Sequence, residues 1–73
     1  MQSANATRRE TGVIRTWLTD RGFGFIDVDG GGPDVFVHMS AFLDGEPTPG
    51  ARVTFVRSEA AKGPRANDVE VAP

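Results

Sequence analysis

The chain reads as all-β, with five short strands closed into a small antiparallel barrel. Three observations predict this. Two stretches, Arg21-Gly22-Phe23-Gly24-Phe25-Ile26 and Asp34-Val35-Phe36-Val37-His38, alternate with the period of two that sends strand side chains to opposite faces. Segments containing glycine or proline punctuate the apolar runs at short intervals, as in small barrels. No segment carries the long 3.6-residue apolar period of an amphipathic helix.

Taken in order, residues 1–10 are polar and aperiodic and read as a disordered lead-in, which leaves the domain over 11–73. The first strand is predicted over 12–18, with Ile14 inward and Val13, Arg15 and Trp17 on the opposite parity unless a bulge intervenes. Thr19-Asp20 is a polar turn into the second strand, 22–28. Asp29-Gly30-Gly31-Gly32-Pro33 reads as a hairpin connection, since it lacks the following helix and the Lys-Ser/Thr of a phosphate-binding loop. The third strand covers 34–38, and Ser40-Ala41-Phe42 forms a helical turn that closes the barrel, with Phe42 buried. Pro47 and Pro49 exclude a regular strand or helix over 44–50. A fourth strand over 52–58 turns Val53 and Phe55 inward. After a loop over 59–64, a fifth over 65–71 turns Val69 and Val71 inward.

Both alternating stretches have two apolar faces, and only one can be core. With the phenylalanines inside, Ile26, Val35 and Val37 would lie in water. With those three inside, Phe23, Phe25, Phe36 and His38 form an exposed patch beside Arg21, and the glycines suit a tight interior. The second arrangement is the expectation. A contiguous exposed aromatic patch marks a binding surface, and flat rings beside a guanidinium are what unstacked nucleobases require. Trp17 keeps two readings, a ring facing ligand or half-buried packing.

The totals narrow the function further. At 73 residues the chain is one small domain. It has no cysteine, hence no disulfide, thiolate metal site or cysteine nucleophile. No apolar run is long enough to span a bilayer and no signal-peptide pattern opens the chain, so a cytoplasmic location without membrane contact is expected. The formal charge of −2, from 8 Lys+Arg against 10 Asp+Glu, argues against a general polyanion binder but not against local base stacking. A lone His38 and carboxylates without a recognisable pairing argue against an enzyme, and no cofactor or metal is expected.

Four blocks together resemble the cold-shock domain family. Arg21 to Ile26 is similar to its first ribonucleoprotein motif and Val35-Phe36-Val37-His38-Met39-Ser40 to its second. Thr11-Gly12-Val13-Ile14-Arg15 is similar to its opening strand, and Lys62-Gly63-Pro64-Arg65-Ala66 with Val69 to its closing loop and last strand. The RRM fold shares the first motif but needs two helices that this chain cannot supply. The resemblance implies a five-stranded OB-type barrel that binds single-stranded RNA or DNA, acting as an RNA chaperone or in transcription or translation control. It implies stacking by Phe23, Phe25, Phe36 and His38, and basic contacts from Arg15 and Arg21.

Three features depart from the family pattern. Arg15-Thr16-Trp17-Leu18 stands where the family usually has Lys-Trp-Phe-Asn, so a threonine replaces the usual tryptophan platform. Met39 replaces an aromatic found in many members, although its thioether can still pack on a base. The loop from Leu43 to Gly50 is shortened. The expected function is single-strand binding by a monomer, with Trp17 and Met39 adding to the platform and Lys62 and Arg65 lining its rim. The runner-up is a barrel that uses the same patch for a protein partner.

Overall fold

The computed structural model describes residues 9–43 and 47–72. Five strands, β1 (Arg9–Leu18), β2 (Phe23–Val28), β3 (Val35–His38), β4 (Arg52–Ala60) and β5 (Gly63–Val71), close into a barrel in the order β1-β2-β3-β5-β4. β1 pairs antiparallel with both β2 and β4, as do β2 with β3 and β4 with β5, whereas β3 and β5 run parallel. A 3₁₀ turn, Met39–Ala41, follows β3 and carries Phe42 against the core.

Alternation settles which face of β2 and β3 is core. Ile26, Val35 and Val37 are each 0% exposed, while Phe23, Phe25, Phe36 and His38 are half-buried on the outer side. Ile14, Val28, Val53, Phe55, Ala66 and Val69 complete the core. Branched and aromatic side chains suit this pleated wall, whose inner face is dry and whose outer face is wet.

Two β-bulges break the simple period. In β1 the register steps from Ile14↔Ile26 to Thr16↔Phe25, so Arg15 is the extra residue and parity reverses beyond it. In β5 the register steps from Val56↔Asn67 to Thr54↔Glu70, which leaves one residue more on β5 than on β4. Asp68 takes a left-handed φ of 49° there, and the buried residues Ala66 and Val69 consequently stand three apart. Val71, expected inward with Val69, is instead 44% exposed near the end of the strand.

The other corrections concern boundaries. Arg9 and Glu10 belong to β1, where Glu10 pairs with Phe55 and holds the Arg57 guanidinium in two hydrogen bonds of 3.0 and 2.7 Å. The predicted loop over 59–64 shrinks to a tight hairpin turn at Ala61-Lys62, because Ala60 and Gly63 already pair. Phe42 is half-buried rather than buried. The remainder of the expected lead-in, 1–8, and residues 44–46 of the proline-containing loop lie outside the described residues.

Candidate nucleic-acid interface

The outer wall of β2 and β3 brings the expected rings together by register. Phe23 pairs with His38 and Phe25 with Phe36, and residues directly opposite across a ladder share a face. The Phe23 and Phe36 centroids are 5.5 Å apart and tilted by 36°, and Phe25 stands edge-on to both at 6.2 and 6.0 Å. Such edge-to-face contacts hold the rings in place while leaving faces open to water.

His38 is held in a defined orientation. The backbone N–H of Ser40 donates to His38 Nδ1 at 3.1 Å, and the Ser40 hydroxyl lies 2.9 Å from the same nitrogen. Nδ1 therefore accepts, and the neutral ring carries its proton on Nε2.

The next residue, Met39, is 49% exposed. Its backbone N–H donates to the Gly22 carbonyl at 2.8 Å, and its side chain covers Gly22, whose φ of 73° is in the region that favours glycine. A soft apolar surface therefore continues the ring patch at the Phe23–His38 end.

Trp17 does not join this platform. Because Arg15 is bulged out, Trp17 pairs with Gly24 and turns to the inner side, where it packs on the core and meets Phe42 edge-on at 5.6 Å. Its indole Nε1 is buried and has no hydrogen-bond partner among the described residues. The same bulge brings Thr16 opposite Phe25 and Leu18, 38% exposed, opposite Phe23. The family resemblance marks Thr16 as the position of the usual platform tryptophan, whereas Leu18 was missed, and its only signal was that a bulge in the first strand would reverse its parity.

Electrostatics separates the cations into two groups. Arg52 pairs with Asp29 at 2.7 Å and Arg57 with Glu10 at 2.7 Å. Hydrogen bonds from the Thr11 hydroxyl and from Arg52 hold the Asp29 carboxyl below the usual carboxylate range, and the Glu10 hydrogen bond raises Arg57. Arg9 donates to Thr54 and to the Asp68 carbonyl. Arg15 bridges Asp27 at 3.5 Å and Asp34 at 3.4 Å. It is more than half exposed, and surface pairs of this kind are worth roughly 0–1 kcal/mol, so a phosphate can compete for it.

Among the described residues, Arg21, Lys62 and Arg65 form no ion pair. Arg21 lines a shallow concavity with Trp17, Leu18, Thr19 and Asp20 at the β1–β2 turn. Lys62 and Arg65 line a groove of about 490 Å³ whose other wall includes Phe25 and Phe36. The Arg65 guanidinium carbon lies over the Phe36 ring, 5.6 Å from its centroid, a contact worth about 0.5–1 kcal/mol at an exposed site. Among the described residues, ion pairs thus engage Arg15, Arg52 and Arg57, while Lys62 and Arg65 stand beside Phe25 and Phe36 without one.

Comparison with known proteins agrees with this geometry. The chain belongs to the cold-shock domain family: the family model described as "'Cold-shock' DNA-binding domain" matches residues 10–72. It is similar to the cold shock protein ScoF of Streptomyces coelicolor, at 42% identity over 65 residues, covering 85% of this chain and 97% of that one. It is also similar to the cold shock-like protein CspA of Stigmatella aurantiaca, at 45% identity over 67 residues and 86% and 97% coverage. Among solved structures, Drosophila Unr CSD456 superposes with a TM-score of 0.80 at 25% identity, over 92% of this chain and 28% of that longer one.

Proposed function

We propose that this chain binds single-stranded RNA or DNA by stacking unpaired bases on Phe23, Phe25, Phe36 and His38. Met39 and Leu18 extend the apolar surface, Arg65 lies at the rim over Phe36, and Arg21 and Lys62 attract the phosphates, with Arg15 available once it leaves its carboxylates. One observation carries this reading. Three phenylalanine rings stand 5.5–6.2 Å apart on a wet wall whose reverse side is the core. A free-standing apolar surface of this kind is kept when it has a ligand, and every nucleobase offers a flat face that suits it.

The module acts as a monomer in the cytoplasm, as an RNA chaperone or a regulator of transcription or translation. The family assignment supports this role, and no helix among the described residues is long and apolar enough to cross a membrane. Trp17 contributes packing rather than a base contact.

Fluorescence anisotropy with a labelled pyrimidine-rich oligonucleotide tests the reading. Phe25→Ala and Phe36→Ala keep the circular dichroism of the barrel and each weaken binding by about 1–3 kcal/mol. Equal affinity in wild type and both variants overturns the proposal. With about three phosphate contacts, log affinity falls against log salt with a slope of about −2. A second reading, a protein partner on the same patch, draws support from the exposed aliphatic end formed by Leu18 and Met39. A partner that stays bound after nuclease treatment and is lost in Phe36→Ala favours it.

A further inference from the structure

We infer that Arg65 and Phe36 form a slot that closes on one unpaired base, with the guanidinium plane on one face of the base and the phenyl ring on the other. This rests on the proposed binding of single strands and specifies how one position of the strand is read.

The parallel pairing of β3 with β5 sets Phe36 directly across from Arg65. The guanidinium carbon lies over the ring, 5.6 Å from its centroid. Two flat groups that hold a third between them at van der Waals contact stand about 7 Å apart. A centroid distance of 5.6 Å is shorter than that, so the slot is closed to a base until Arg65 swings outward. Arg65 is exposed and forms no ion pair among the described residues, so a change of side-chain rotamer supplies that opening without moving the strand.

The surroundings fit a nucleotide. The groove of about 490 Å³ beside the slot is walled by Phe25 and Phe36 on one side and by Ala60, Lys62, Pro64 and Arg65 of the β4–β5 hairpin on the other. Small hairpin residues leave room for the sugar, and Lys62 supplies a point charge for the phosphate.

Charge alone does not explain an arginine over the ring. A guanidinium is planar and weakly hydrated and stacks on flat π surfaces, whereas an ammonium is a compact, strongly hydrated point charge. A base between two planes gains with its stacking area, so the slot favours a purine at one position of the strand. A phosphate contact from Arg65 would give no such preference.

The experiment uses the full chain and a set of heptamers, an all-uridine strand and seven variants with a single adenine at each position in turn. Wild type binds one adenine register about two- to fivefold more tightly than the others. Arg65→Lys keeps the charge and the salt dependence but loses that preference. A 2-aminopurine in the favoured register is quenched by wild type and less so by Arg65→Lys. Arg65→Lys matching wild type across the whole set, or weakening all members equally, overturns the slot while leaving the stacking platform intact. Absence of binding by wild type to every heptamer overturns both.

Discussion

Trp17 and Gly24 face each other across the β1–β2 ladder, and the indole occupies the space that a side chain at position 24 would need. A Cβ added at Gly24 would lie 2.7 Å from Cε3 of Trp17 and closer still to the Thr16 carbonyl oxygen. The one tryptophan is thus committed to closing the barrel end against Phe42, and the outer wall is left to the phenylalanines.

Gly24→Ala tests this packing. The backbone carbonyl has no soft direction in which to yield, and overpacking a tight interior costs about 1–3 kcal/mol or more. In a domain this small, that is a large share of the total stability. Urea unfolding followed by Trp17 emission should show a much lower midpoint or no cooperative transition, and an unchanged midpoint would refute the contact.

Thr16→Trp tests the composition of the platform. Thr16 lies across from Phe25 on the wet face, so an indole there adds a stacking surface without entering the core. Oligonucleotide affinity should rise by about 1–3 kcal/mol, read by anisotropy. No gain in a folded variant would mean that the strand does not pass over this edge of the sheet.

Asp29 accepts hydrogen bonds from the Thr11 hydroxyl at 2.6 Å and from Arg52 at 2.7 Å, which lower its pKa from the ordinary value of 3.8. Its folded carboxyl is more acidic than the unfolded one. The stabilisation is therefore present above the unfolded value and is lost as pH falls through the folded one. Thermal melts of wild type should consequently decline more steeply below about pH 4 than those of Asp29→Asn. Parallel profiles would show that these bonds do not stabilise the fold.

Asp68 holds the β5 bulge at a φ of 49°, and its carbonyl accepts from Arg9 at 2.6 Å. A β-branched residue tolerates that conformation poorly, at a cost of roughly 1–2 kcal/mol. Asp68→Val should therefore lower the melting temperature by about 4–8 °C per kcal/mol, while Asp68→Asn, which adopts this region readily, should leave it nearly unchanged. Equal melting temperatures for the two variants would contradict the strained bulge.

For β2 and β3 the sequence alone determined the outcome. Strict alternation left a choice between two faces, and placing Ile26, Val35 and Val37 in water was the worse choice energetically. The ring patch followed, as did Val53, Phe55 and Val69 as core. Only the tertiary structure decided that Val71, on the same parity as the buried Val69, is exposed at the end of its strand. Only it decided the orientation of Trp17 and the company that Arg15 keeps, both of which follow from a bulge. The reason is physical: one inserted residue flips every side chain beyond it to the other face, and where it is inserted depends on the partner strand. Arg15 and the bulge at Asp68 are such insertions, set by pairing with β2 and β4, which no local period records.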